Sequence, residues 1–163
     1  MALSAADAGH LAVAFALTYA LGFERELRGG CAGDRVFSLI GLGSGIIGII
    51  ALHTAATALT GAFTGIGFIG GGLVFRQVAG REHLVKGITT AAALFAAVGI
   101  GAAAGEGRLL VALVATALAV VTLETRHIRV LNILDARRWA DRFRNDETPV
   151  RRIGADSTGS PPG

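Results

Sequence analysis

Nine residues with charged or hydroxyl side chains stand at the ends of the most apolar stretches of this 163-residue chain. Among them, Glu24 and Arg28 are four residues apart, so one helix face can carry both as an ion pair. Thr89 and Thr90 open an apolar run, and free backbone N–H groups at the start of a helix favour anions. The complete set is Glu24, Arg25, Glu26, Arg28, Arg35, Arg76, Lys86, Thr89 and Thr90.

Two interpretations of this set remain open from the residues alone. In the first, the side chains form a polar pocket that closes one end of a helical bundle, with Glu24 paired to one or more arginines. In the second, the basic residues are ordinary anchors whose long side chains reach the membrane surface. Charge and spacing by themselves favour the anchors.

The same inspection argues against an enzyme and weakens an ion path. No carboxylate occurs in residues 36–75 or 87–105, whereas hard divalent cations prefer oxygen ligands such as carboxylates. Glu24 is the one acid placed to serve inside a membrane. The four histidines and the single Cys31 show no spacing typical of a metal or catalytic site. No cofactor is predicted, and whether a metal binds is left unknown.

Long uncharged runs determine the predicted fold class. The chain is 52% hydrophobic and 17% charged, and residues 36–75 contain no Asp, Glu, Lys or Arg. A bilayer core needs about 20 apolar residues per helix, so this run is long enough for two spans. The pattern predicts an all-α, multi-pass membrane bundle of five transmembrane helices, at 11–27, 36–52, 58–75, 88–104 and 109–125.

The positions of the basic residues predict the orientation. Cytoplasmic loops gather Lys and Arg, and every basic residue except Arg108 falls on one side of the five predicted spans. The N-terminus is therefore predicted outside and the C-terminus inside, in the inner membrane of a bacterium. The basic balance follows from this topology, and no pattern typical of a nucleic-acid surface is present.

Glycines are concentrated in the third predicted span, in the stretch TGIGFIGGGLVFR. Small residues let helix backbones approach each other in lipid, where apolar surface alone gives little association. The cluster predicts that this helix lies at the centre of the bundle, or that it unwinds locally around a functional break. Its members are Gly65, Gly67, Gly70, Gly71 and Gly72.

The remaining segments are predicted from composition. Asp34 is expected to cap the second helix, and Gly105-Glu106-Gly107 is expected to form a tight outer turn. The bundle is predicted over 1–127, a basic amphipathic cytoplasmic segment over 128–144, and a disordered tail over 145–163. A solvated extension of the fifth helix is the alternative for the basic segment.

Four sequence elements, contained in residues 21–43, 64–76 and 85–100, together resemble the MgtC/SapB membrane family. The family has a Glu-Arg-Glu-x-x-x-Gly stretch, an Ala-Gly-x-Arg before its second helix, a Gly-rich third helix and a Val-Arg-Gly-Leu-Thr-Thr-Ala-Ala entry to its fourth. The matching positions here are Glu24, Arg25, Glu26, Gly29, Ala32, Gly33, Arg35, Gly65, Gly67, Phe68, Gly70, Gly72, Val85, Gly87, Thr89, Thr90, Ala91 and Ala92.

The resemblance implies a membrane protein linked to growth in low magnesium. It favours the pocket over simple anchors, and it implies a small accessory or regulatory protein with a membrane-protein partner, the ATP synthase being one candidate, or a homo-oligomer. A transporter of Mg²⁺ or another ion is the alternative. Thr54, Thr57 and Gly61 stand where the family often has Asp, Arg and Gln, which puts functions that need those residues in question.

Overall fold

A computed structural model describes residues 4–53, 57–75 and 87–124, and all helices in this part of the chain lie in one apolar bundle. The prediction of five helices is confirmed, with bounds that differ from the predicted spans by at most a few residues except at the start of the first helix. The helices are α1 (Ala5–Leu27), α2 (Asp34–His53), α3 (Thr57–Phe75), α4 (Ile88–Gly105) and α5 (Leu109–Glu124).

Four of these helices are long and apolar enough to cross a membrane, namely α1 to α4. The described part of α5 has 16 residues, which is about 24 Å at 1.5 Å per residue and less than a hydrocarbon core of about 30 Å. The chain is therefore a multi-pass membrane protein by its described spans. The fifth span stays a prediction.

The first helix begins earlier than its uncharged run because a capping box fixes its start. The Asp7 N–H donates to Ser4 Oγ at 3.1 Å, and the Ser4 N–H donates back to Asp7 Oδ2 at 2.9 Å. These reciprocal bonds satisfy backbone donors that a helix start leaves free. They extend α1 by one and a half turns beyond the apolar stretch that the sequence indicated.

Two turns at opposite ends of the bundle have the same hydrogen-bond pattern. After α1, Gly29 adopts φ +67° and the Gly30 N–H donates to the Arg25 carbonyl at 2.7 Å. After α4, Gly107 adopts φ +77° and the Arg108 N–H donates to the Ala103 carbonyl at 2.8 Å. Both are Schellman ends, where glycine takes the left-handed conformation without strain. The predicted tight turn at 105–107 is confirmed.

The core lies where α1, α2 and α4 pack together. Its largest fully buried side chains are Phe37, Leu21, Leu94 and Ile100. Glycines make the close approach possible: a β-carbon on Gly101 would lie 2.6 Å from the Gly41 carbonyl oxygen, and one on Gly105 would overlap the Gly45 carbonyl. The backbones of α2 and α4 are therefore in direct contact along this line.

Helix α3 is not at the centre of the bundle, so this prediction is wrong. It packs against α4 and α2, with the Phe63 and Phe95 rings 5.1 Å apart. Among the described residues, nothing lies within 4 Å of a β-carbon placed on Gly65, Gly67, Gly71 or Gly72; on Gly70 the nearest atom is the Ala91 β-carbon at 3.4 Å. Of the glycines in α3, Gly70 alone has an atom of another described helix within 4 Å.

The alternative prediction for this helix, a local break, is also wrong, because α3 is continuous from Thr57 to Phe75. A helix satisfies its own backbone hydrogen bonds even where it is rich in glycine, and in an apolar environment this outweighs the modest propensity cost. The predicted amphipathic segment 128–144 and tail 145–163 lie outside the described residues.

Candidate polar site at one end of the bundle

An ion pair is buried where α1 ends. Glu24 and Arg25 are each 8% exposed, and the Arg25 Nε and Nη2 groups donate to the two carboxylate oxygens of Glu24. The pair is thus formed between chain neighbours. Leaving one member of a buried pair without the other typically costs about 3–5 kcal/mol, so each residue keeps the other in place.

The next acidic residue along the chain reaches across the loop between α1 and α2. Glu26 Oε2 accepts a hydrogen bond from the Asp34 N–H at 3.2 Å, and its carboxylate lies so close to Gly33 that a β-carbon there would overlap it. Asp34 Oδ1 in turn accepts from the Arg35 N–H at 2.6 Å. An N-cap side chain accepts from the N–H group two or three residues further on, whereas Asp34 is the first residue of α2 and bonds its immediate neighbour. The predicted capping role of Asp34 is therefore wrong, although its carboxylate does accept a backbone N–H group at the helix start.

A cavity of about 490 Å³ opens at this loop. We call it the 26–36 cavity; among the described residues, it is lined by Glu26, Gly30, Gly33, Asp34, Arg35 and Val36. Its lining contains two carboxylates and one guanidinium. The arrangement can therefore hold a ligand that carries both a hydrogen-bond-donating cation and an anion.

The other predicted site residues are placed differently. Arg28 is the exposed C-cap of α1. Thr89 is exposed and Thr90 is buried in the first turn of α4, behind Gly87 at φ +92°, and neither is among the described residues that line the cavity. Arg76 and Lys86 lie outside the described residues. Of the nine predicted residues, Glu26 and Arg35 meet around the cavity.

Sequence reasoning treated Asp34 only as a helix cap and missed its place in the cavity. One signal was present: Glu26 and Asp34 are eight residues apart, with Gly29, Gly30 and Gly33 between them. Such a short glycine-rich connection returns the chain on itself and brings its two ends together. In the described part of the chain, no group of three or more His, Cys, Asp or Glu residues is arranged to hold a metal ion.

Comparison with protein families decides the relationship of this bundle to known proteins. The model of the MgtC family matches residues 11–129, which includes the described bundle from the second turn of α1 to the end of α5. The chain belongs to the MgtC family. The resemblance inferred from the four sequence stretches is thereby confirmed.

Individual MgtC-family relatives are similar at the level of a third of their residues. The protein named "Putative magnesium transporter YhiD" of Escherichia coli K12 is 31% identical over 121 residues, covering 66% of this chain and 54% of that protein. "Protein MgtC" of Brucella abortus strain 2308 is 32% identical over 137 residues, covering 80% and 56%. An uncharacterized protein of Synechocystis is 33% identical over 102 residues, covering 60% and 42%.

The chain spans about half the length of these curated MgtC-family relatives. What the whole relatives do is therefore carried to this chain only as a proposal. No solved structure matches the chain.

Proposed function

We propose that this MgtC-family chain is a membrane accessory or regulatory protein for growth in low magnesium. In this proposal it acts on another membrane protein through the end of the bundle that carries the 26–36 cavity, and the basic-residue pattern predicts that this end faces the cytoplasm. It does not itself conduct Mg²⁺.

The observation that carries the proposal is the closed interior formed by α1, α2 and α4. The hydroxyl groups buried there donate within their own helices, Thr18 to the Ala14 carbonyl at 2.7 Å and Ser44 to the Gly41 carbonyl at 3.2 Å. The backbones of α2 and α4 touch at Gly45 and Gly105. A hydrated divalent cation retains several waters, and this packing leaves no room for them between these three helices.

The buried Glu24–Arg25 pair at the end of α1 gives independent support for a role other than Mg²⁺ transport. Glu24 was the acid placed to serve a permeating cation, and the Arg25 guanidinium occupies both of its carboxylate oxygens. A cation would have to displace that guanidinium and leave it buried without its partner. This arrangement suits a fixed structural or docking element better than a transport site.

Transport remains the alternative because one relative is named a putative magnesium transporter. The purified chain in liposomes tests the two functions directly, with Mg²⁺ uptake followed by an enclosed indicator. We expect uptake equal to that of empty vesicles. Saturable Mg²⁺ uptake that is lost in Glu24→Gln would establish transport and overturn the accessory role.

A growth assay tests whether the polar end matters. In cells that need this chain at low magnesium, Arg35→Ala and Glu24→Gln should abolish growth while membrane insertion is retained. Arg35 is exposed, so its loss separates function from the stability of the buried pair. Glu106→Gln, at the opposite end of the bundle, is the matched control and should grow as wild type. Normal growth of Arg35→Ala would contradict the proposed role of this end.

The partner can be captured from native membranes. A photoreactive residue at Arg35 should crosslink a membrane protein, and the ATP synthase is the candidate that the family resemblance implied. The same probe at Glu106 should not capture that protein. Equal capture from both positions would argue against a partner specific to the polar end.

A further inference from the structure

The lining of the 26–36 cavity carries charges of both signs in a small space. It is an open cleft in which Glu26 and Arg35 are exposed, and its volume of about 490 Å³ is within the range of about 300–1,000 Å³ for small-molecule clefts. Glu26 and Asp34 supply carboxylates, and Arg35 supplies a guanidinium. A simple anion would meet two negative charges, and a simple cation would meet the guanidinium.

The two carboxylates keep acceptor capacity after their contacts with the backbone. Glu26 uses Oε2 for the Asp34 N–H, and Asp34 uses Oδ1 for the Arg35 N–H. Each carboxylate has about four lone-pair sites, so the second oxygen of each can accept from a primary ammonium group. A guanidinium matches the oxygens of a phosphate with two parallel hydrogen bonds.

An apolar surface leaves the cavity along α2. Val36 lines the cavity and begins the uncharged run, and it is 40% exposed. Leu39, three residues further and therefore on the same helix face, is 69% exposed. A ligand with its polar group in the cavity can thus continue as a hydrocarbon chain along Val36 and Leu39 in the bilayer.

We propose that the 26–36 cavity binds the headgroup of a phospholipid that carries a primary ammonium and a phosphate, as phosphatidylethanolamine does. The ammonium is held by Glu26 and Asp34, the phosphate by Arg35, and an acyl chain lies along Val36 and Leu39. This inference goes beyond the proposed function, because headgroup binding is compatible with an accessory protein and with a transporter. It also holds for either orientation in the membrane.

The expected preference among phospholipids follows from whether the headgroup has N–H groups to donate and from its net charge. Phosphatidylcholine has the same net charge but no N–H group to donate to the carboxylates. Phosphatidylglycerol has the phosphate but lacks the cation, so it brings a negative charge towards Glu26 and Asp34. Losing a charge-assisted hydrogen bond weakens binding, so the preference for the ethanolamine lipid is expected to be about tenfold or more.

The experiment is lipid binding to the full chain, purified in detergent and stripped of lipid. Phosphatidylethanolamine, phosphatidylcholine and phosphatidylglycerol of one acyl length are titrated separately and counted by native mass spectrometry. We expect one saturable site for phosphatidylethanolamine, about tenfold tighter than for the other two. Glu26→Gln and Asp34→Asn should remove that preference, since an amide oxygen still accepts the backbone N–H but carries no charge.

Glu106→Gln removes a carboxylate at the other end of the bundle and should bind like wild type, and thermal unfolding verifies that all variants are folded. Equal binding of the three lipids would overturn the proposal. So would binding of free phosphoethanolamine as tight as that of the lipid, or displacement of the bound lipid by Mg²⁺ alone in wild type. Neither the liposome flux nor the growth result affects this outcome.

Discussion

The glycines of α2 and α4 and those of α3 all lie in apolar helices, but their surroundings differ. A β-carbon on Gly48 would overlap the Ala102 carbonyl oxygen, whereas one on Gly71 would meet no described atom within 4 Å. The denser cluster is thus the less packed one. A high density of glycines shows where another helix could pack closely. It does not show whether a helix of this chain packs there.

The largest expected effect on stability comes from the glycines at which α2 and α4 contact each other. In Gly105→Leu the β-carbon would overlap the Gly45 carbonyl oxygen, and α2 and α4 must separate to admit the side chain. We expect the free energy of unfolding to fall by about 3 kcal/mol, the upper end of the usual overpacking cost, or by more. Equilibrium unfolding in mixed micelles measures it. Stability equal to wild type would mean that α2 and α4 do not touch.

Two adjacent glycines of α3, Gly70 and Gly71, are expected to differ in how much a leucine at each position changes stability. Gly70 has the Ala91 β-carbon at 3.4 Å, and Gly71 has no described neighbour within 4 Å. Gly70→Leu should lower the free energy of unfolding by about 1–3 kcal/mol. Gly71→Leu should not lower it, and the better helix propensity of leucine should raise it by up to about 1 kcal/mol. The reverse order in the same unfolding assay would show that the described face of α3 is wrong.

A smaller effect on stability is expected when alanine replaces an α3 glycine that has no described neighbour. Gly65→Ala adds a methyl group to open space and replaces a residue of poor helix propensity. Thermal unfolding in detergent should show a gain of up to about 1 kcal/mol, whereas Gly48→Ala in the same assay should show a loss. A loss in Gly65→Ala would mean that another molecule packs against this face of α3.

The smallest perturbation compares the two ends of the bundle without changing its packing. Arg28 and Glu106 lie in the Schellman ends at opposite ends of the described helices. In a Cys31→Ser background, a cysteine at Glu106 should react with an impermeant reagent in intact cells, and a cysteine at Arg28 should not. Labelling in the opposite order would reverse the predicted orientation, which the structure by itself leaves as a prediction.

The end of the bundle that carries the Glu24–Arg25 pair and the 26–36 cavity shows which features of the site could be predicted from the sequence. The sequence indicated Glu24, Glu26 and Arg35 as polar residues at the end of apolar spans, and the structure has them at the end of α1 and the start of α2. It did not indicate that Glu24 pairs with its neighbour Arg25, or that Asp34 joins Glu26 at a cavity. Hydropathy gives depth along the membrane normal, but rotation of each helix and the path of a loop decide which side chains meet.

The sequence by itself determined the number of helices, their approximate bounds and the family. Uncharged runs of this length are typical of membrane-spanning helices, since a helix satisfies every backbone group within its own segment. The glycines of the two turns, Gly29 and Gly107, follow from local backbone conformation as well. These features depend on residues close in the chain, so a single sequence contains them.

Only the tertiary structure decided which helices form the core. The third helix has the densest glycine cluster, yet Gly41, Gly45, Gly48, Gly101 and Gly105 make the close contacts. Between their ends the helices contain no charged residue, so no charged face indicates which way each one turns. In that situation shape decides: α2 and α4 pack where their small residues coincide at one depth, and that coincidence exists only after the helices are assembled.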